Sequence, residues 1–104
     1  MKKLRPHPNV VQLIGFFESP LGIVTEYVPR GSLEGWLRSD KPMTDAQKIS
    51  ILHGTAAGML YLHSEGILHR DLAARNILLD KTLSPKLCDF GLSRVMIDER
   101  THKR

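Results

Sequence analysis

Cysteine, aromatic residues and long apolar runs are scarce in this sequence, and each scarcity argues against a class of protein. Cys88 is the only cysteine, so no intrachain disulfide can form and a reducing compartment is expected. The apolar run at residues 10–17 is too short to cross a bilayer and contains Gln12, so we expect no membrane span and no signal peptide.

The basic excess of the chain does not indicate a nucleic-acid-binding protein. The formal net charge is +4, and six of the fifteen basic residues lie at the two ends of the chain: Lys2, Lys3, Arg5, Arg100, Lys103 and Arg104. Aromatic residues make up only 6% of the sequence, and none is interleaved with a basic stripe. We therefore expect no nucleic-acid partner.

The 104 residues are 41% hydrophobic and 25% charged, which is typical of one small globular domain. Residues 10–17 and 23–28 are rich in β-branched and aromatic side chains, and residues 19–22 between them have turn composition. This pattern predicts a β-hairpin. A short apolar strand is also expected at residues 86–88.

Two helices are predicted downstream of the hairpin. Ser32 is a candidate N-cap for a short helix anchored by Leu33, Trp36 and Leu37. Thr44 and Gln47 form a capping-box pattern, and the helix that follows is predicted over about residues 45–64, ending at a glycine. Apolar spacing predicts one buried face on this helix, made of Ile49, Leu52, Ala56, Met59, Leu60 and His63.

Two short motifs indicate the chemistry of the chain. Residues 69–76 read H-R-D-L-A-A-R-N, and residues 89–91 read D-F-G. In the phosphoryl-transfer chemistry of these motifs, Asp71 accepts the proton of a substrate hydroxyl, while Asn76 and Asp89 hold metal ions that bridge ATP phosphates. Magnesium prefers hard oxygen ligands and takes few carboxylates from a protein, which one Asn and one Asp satisfy.

These motifs, together with the chain from Leu4 to about Asp98, resemble the eukaryotic protein kinases. Residues 72–76 look like the tyrosine-kinase version of the catalytic loop, in which Arg75 serves in place of a lysine that serine/threonine kinases carry at the position of Ala73. Residues 92–104 contain no tyrosine, although tyrosine kinases often place a regulatory tyrosine there. A tyrosine-kinase-like enzyme acting on serine or threonine therefore stays an alternative.

The resemblance implies an α+β fold, as a central part of a protein-kinase-like domain. Residues 1–28 would form the end of the N-lobe, with a β-hairpin and the hinge. Residues 29–104 would form the start of the helical C-lobe through the beginning of the activation segment. A whole kinase domain is much longer than 104 residues, so we expect a fragment.

The resemblance also implies an ATP site. Thr25 would be the gatekeeper beside the adenine pocket, and the carbonyl of Glu26 and the amide of Val28 would bond adenine. Leu78 would form the floor of that pocket, and Asp89 would hold magnesium beneath the phosphates. His69 and Phe90 would stack in a hydrophobic column that joins the lobes.

Three functions remain open at this point. The first is an ATP- and Mg²⁺-dependent protein kinase acting on a protein substrate on the cytoplasmic side of the cell, within a soluble or membrane-anchored enzyme. No G-x-G-x-x-G and no V-A-I-K occurs in the chain, so the isolated chain is expected to be inactive. The second is a non-catalytic, kinase-derived interaction module, and the third is a small α+β domain unrelated to kinases.

Overall fold

The computed structural model describes residues 5–18, 21–67 and 72–88, which form two small antiparallel sheets and two α-helices. The elements in chain order are β1 (Leu13–Glu18), β2 (Leu21–Thr25), α1 (Leu33–Arg38), α2 (Asp45–Ser64), a 3₁₀ turn (Ala74–Asn76), β3 (Ile77–Leu79) and β4 (Pro85–Leu87). The α+β fold class is confirmed. Within these described ranges, none of the helices has the length and apolarity that a bilayer crossing requires.

The predicted hairpin is present, but its strands begin and end elsewhere than the sequence suggested. β1 and β2 pair antiparallel, with Leu21 and Gly22 already in the ladder rather than in the turn. Residues 10–12 lie outside the strand because the Val11 amide donates instead to the Leu87 carbonyl at 2.9 Å. The competing pairing to β4 therefore shortens β1 at its start.

The capping signals in the sequence are all confirmed. The Ser32 hydroxyl accepts the Gly35 amide at 3.0 Å and begins α1. Thr44 and Gln47 exchange the two hydrogen bonds of a capping box, at 3.1 and 2.9 Å, and begin α2. Gly66 has a φ of 77°, the left-handed conformation in which a glycine ends a helix at low steric cost.

The predicted buried face of α2 is wrong except at Met59, which is half-buried and packs against a buried cluster. Ile49, Leu52 and Leu60 are 65%, 71% and 72% exposed, and Ala56 and His63 are also exposed. The buried residues of α2 are instead Ile51, Gly54, Gly58 and Leu62. Both the predicted and the observed sets of residues have helical spacing. The observed set is buried because its glycines have no side chain, so the backbone of a neighbouring segment can approach the helix closely. Leu37 of α1, expected as an anchor, is 60% exposed.

Two buried clusters form the core and meet at one side chain. The first contains Val10, Leu62, Ile77 and Leu87, and the second contains Ile51, Leu79 and Leu83. Leu33 of α1 packs against both clusters, and Trp36 packs against the second. The short helix is thereby held against the β3–β4 hairpin and α2.

The glycine face of α2 seats the segment that precedes β1. A Cβ built on Gly54 would lie 2.8 Å from Asn9 Nδ2, and one built on Gly58 would lie 2.7 Å from the Asn9 carbonyl oxygen. Asn9 in turn donates through Nδ2 to the Pro85 carbonyl, and its own carbonyl accepts the Leu87 amide, both at 2.9 Å. Asn9 therefore joins α2, β4 and the segment leading to β1.

Candidate nucleotide-binding and catalytic site

The segment 26–28, which follows β2, carries the residues expected to bind adenine. Thr25 is half-buried, and its hydroxyl donates to the Glu26 carbonyl at 3.2 Å. That carbonyl keeps a second lone pair for another donor. Val28 is 6% exposed, and among the described residues its amide has no hydrogen-bond partner. The segment thus offers an acceptor and a donor from the backbone.

Leu78 lies beside the turn at residues 29–32 that follows this segment. It is the central residue of β3, and it is half-buried between the buried Ile77 and Leu79 because successive strand side chains point to opposite faces. The Leu79 amide donates to the Gly31 carbonyl at 2.8 Å, and the Arg30 amide donates to the Leu79 carbonyl at 3.0 Å. These bonds hold the turn at residues 29–32 against β3.

An ion pair that the sequence analysis missed joins segment 26–28 to β4. Glu26 Oε2 lies 3.3 Å from Lys86 Nζ and also accepts the Gln12 amide at 2.8 Å. The Glu26 amide returns a bond to the Gln12 carbonyl at 3.0 Å. The Lys86 and Glu26 side chains are 17% and 29% exposed. The partners are 60 positions apart in the chain, so no local pattern signals the pair.

Asn76 lies at the end of the 3₁₀ turn and is buried, with 4% of its surface exposed. Its amide donates to the Ala73 carbonyl at 2.8 Å, which closes the turn. Its carbonyl accepts both the Cys88 amide at 3.0 Å and the Cys88 thiol at 3.4 Å. The end of the H-R-D-L-x-x-x-N motif and the residue before D-F-G are therefore hydrogen-bonded neighbours.

Several predicted site residues lie outside the described part of the chain. Asp71 and Asp89 are among them, as are His69, Arg70 and Phe90. Arg75 is described; it is exposed and lies in the 3₁₀ turn beside Asn76. The roles expected for these residues stay predictions.

Asp80 orders the turn that joins β3 to β4. Its Oδ1 accepts the amides of Thr82 and Ser84 and the Thr82 hydroxyl, each at 2.9 Å. Burial of the Asp80 carboxyl acts to raise its pKa, but these hydrogen bonds and the charge of Lys86 outweigh burial and lower the pKa below its ordinary value. The turn is therefore most stable with Asp80 ionised, and it fixes where β4 and Cys88 lie.

Comparisons with known proteins give a consistent family result. The family described as "Protein tyrosine and serine/threonine kinase" matches residues 1–104. The chain is 49% identical over 96 residues to ephrin type-A receptor 5 of Rattus norvegicus, over 89% of this chain and 10% of that protein. It is 50% identical to ephrin type-A receptor 7 and 48% identical to ephrin type-B receptor 2, both of Gallus gallus, with the same coverage. The chain thus spans about a tenth of the length of these relatives.

Proposed function

This chain belongs to the protein kinase family, and we propose that it supplies the hinge, catalytic loop and metal ligands of an ATP-dependent protein phosphotransferase. The observation that carries the proposal is the pair of hydrogen bonds from Cys88 to the Asn76 carbonyl. They bring the last residue of the first motif next to the residue that precedes D-F-G. Residues 1–28 then belong to the N-lobe and hinge, and residues 29–104 to the C-lobe.

The backbone of residues 26–28 fits an adenine ring. The Val28 amide, which has no partner among the described residues, would donate to a ring nitrogen, and the Glu26 carbonyl would accept an exocyclic amine hydrogen. Leu78 supplies an apolar surface close to the turn that follows, and Thr25 borders the site from the end of β2. ATP is therefore the cofactor that we assign to this side of the site.

The remaining site residues have different chemical roles. Asp71 accepts the proton of the substrate hydroxyl, and Arg75 acts near it in the catalytic loop. Asn76 and Asp89 would hold Mg²⁺, because both offer hard oxygen ligands and Asp89 directly follows Cys88, which is bonded to Asn76. When bound, the ion neutralises charge on the transferring phosphoryl group. Tyrosine is the favoured acceptor, since residues 72–76 have the tyrosine-kinase form and the relatives are ephrin receptors.

A chimeric enzyme tests this proposal. The 96 matched residues would replace their counterparts in the kinase domain of ephrin type-A receptor 5, which restores the parts that this chain does not carry. We expect ATP-dependent phosphorylation of a tyrosine peptide, and loss of more than about a thousandfold in rate with Asp71→Asn. A folded chimera without turnover, or one insensitive to Asp71→Asn, would contradict the assignment.

The isolated chain is expected to bind adenine nucleotides weakly and to catalyse no phosphoryl transfer. Phosphoryl transfer requires a lysine that pairs the phosphates together with its helix glutamate, and the chain contains no V-A-I-K motif. Phosphotransfer by the isolated chain that Asp71→Asn abolishes would contradict this expectation. In the cell we place the activity on the cytoplasmic side, where ATP and reduced thiols are available.

The exposed apolar side chains of α2 favour a second candidate, a non-catalytic interaction module. Ile49, Leu52 and Leu60 are each at least 65% exposed, and exposed apolar surface of this kind favours association. The partner would be a kinase N-lobe or a kinase regulator. Binding of an ephrin-receptor N-lobe that is lost with Leu52→Gln but kept with Lys48→Gln would support this candidate. Absence of binding by folded protein would remove it.

A further inference from the structure

His7 makes a contact that only one form of its ring allows. The Asn9 amide donates to His7 Nδ1 at 3.0 Å. Since a backbone amide cannot accept a hydrogen bond, His7 Nδ1 must be unprotonated and the ring must carry its proton on Nε2. The same ring stacks on Tyr61 of α2, with centroids 4.8 Å apart and planes inclined by 23°.

The turn that His7 closes leads directly into the anchor of the first hairpin. Asn9 bonds to Pro85 and Leu87, and Val11 bonds to Leu87. Ahead of the turn, the Tyr61 hydroxyl donates to the Arg5 carbonyl. Residues 5–11 are therefore bound at both ends to α2 and β4, and His7 lies in the middle.

We propose that His7 is a proton-sensitive lock that holds residues 7–11 on α2 and β4 when neutral and weakens this docking when protonated. A proton on Nδ1 places two N–H groups against each other, because Nδ1 becomes a donor facing the Asn9 amide. The ring contact with Tyr61 survives protonation, but the Asn9 bond does not. Histidine is the side chain whose ordinary pKa allows such a change between pH 5 and 8.

Among the described residues, the titratable group in contact with the His7 ring is Tyr61 of α2. The charged groups that act on Tyr61 are Glu65, the C-cap of α2, and Arg5 of the preceding segment. Burial and the charge of Glu65 raise the pKa of Tyr61, so its hydroxyl stays protonated throughout this pH range.

Amide hydrogen exchange of the labelled 104-residue chain tests the lock. After correction for intrinsic exchange, we expect the protection of the Asn9 amide to fall about five- to tenfold between pH 8 and pH 5, with a smaller parallel fall at Val11 and Leu87. His7→Asn keeps a side-chain oxygen that can accept the amide two residues on but does not titrate. This variant should lose the pH dependence at all three amides.

His53→Asn is the matched control, because His53 is exposed on α2 and should leave the pH dependence unchanged. The same pH dependence in wild type and His7→Asn would overturn the lock, as would an unprotected Asn9 amide at pH 8. If His7→Asn does not fold, the NMR chemical shifts of the ring nitrogens of wild-type His7 test the proposal instead. A proton on Nδ1 at pH 8 would overturn the proposal. A ring protonated only on Nε2 at pH 8 and on both nitrogens at pH 5, with loss of Asn9 amide protection at pH 5, would support it.

Discussion

The two sides of α2 contrast sharply although similar residues line them. On one side Ile51 is 5% exposed and Leu62 is fully buried. On the other side Leu52 and Leu60 are 71% and 72% exposed. Leucine and isoleucine therefore appear on both sides, and hydrophobicity alone does not distinguish the sides.

The residues between the large side chains account for the difference. Gly54 and Gly58 separate Ile51 from Leu62, and they leave room for Asn9 and β4 to approach the helix axis. Where backbone can come this close, leucine side chains above and below become enclosed as well. Helix burial is therefore decided by which partner segment fits the surface, and the predictions below test this difference from the largest expected effect to the smallest.

Truncation of one leucine on each side should give the largest contrast. Leu62→Ala removes a fully buried side chain from the first core cluster and should lower the free energy of unfolding by about 2–5 kcal/mol. Leu60→Ala should change it by less than about 0.5 kcal/mol. Urea denaturation of both variants measures this, and equal effects would mean that the two sides are not distinguished by burial.

Adding a methyl group to the glycine face should come next. Gly58→Ala places a Cβ 2.7 Å from the Asn9 carbonyl oxygen and should cost about 1–3 kcal/mol of stability, despite the higher helix propensity of alanine. Gly35→Ala in α1 is the matched control. Its Cβ meets only the Ser32 hydroxyl at 3.4 Å, so it should gain up to about 1 kcal/mol. A higher unfolding temperature of Gly58→Ala than of wild type would contradict the close approach of Asn9 to Gly58.

The turn that positions β4 on the buried side should show a pH-dependent effect. Asp80→Ala should lower stability at pH 7 by about 1 kcal/mol, because the hydrogen bonds to Thr82 and Ser84 are lost. Since the folded-state pKa of Asp80 is lowered, its contribution is present above the unfolded-state pKa and is lost as pH falls through the folded-state pKa.

The difference between Asp80→Ala and wild type in urea denaturation should therefore shrink from pH 7 towards pH 3. Asp80→Asn keeps the acceptor oxygen and removes the charge, so it should retain part of the stability and lose the pH dependence that comes from Asp80. A wild-type advantage over Asp80→Ala that is unchanged at pH 3 would contradict the role of the ionised carboxyl.

The smallest effect is expected on the exposed side. Ile49→Gln should change the free energy of unfolding by less than about 0.5 kcal/mol, because the side chain is already 65% exposed. Sedimentation of wild type and of this variant would report any self-association through the exposed side of α2. A loss of stability above 1 kcal/mol would show that the exposed side is covered in solution, which would remove the contrast.

Local sequence signals predicted much of the fold correctly. The caps at Ser32 and Thr44, the glycine end at Gly66 and the length of α2 depend on hydrogen bonds within about four residues, so neighbouring residues specify them. The first hairpin was also predicted, but the residue at which β1 starts was not. That start is set by Val11 pairing with a strand far along the chain.

The kinase motifs predict site residues but not the contacts that hold those residues in place. The kinase motifs pointed to Asn76 and, through the family resemblance, to Leu78 and residues 25–28. They did not reveal the Glu26–Lys86 ion pair or the bonds from Cys88 to the Asn76 carbonyl. Each of these joins residues that lie 12 or more positions apart, where a motif read along the chain has no information on distance.

The sequence by itself determined the family, the caps of both helices and the extent of α2. These follow from short-range hydrogen bonding and from patterns of contiguous residues. Only the tertiary structure decided which side of α2 is buried and how Asn9, Glu26 and Asn76 are held. Such contacts depend on the shape that distant segments present to one another, and apolar periodicity is the same on a covered helix face and an uncovered one.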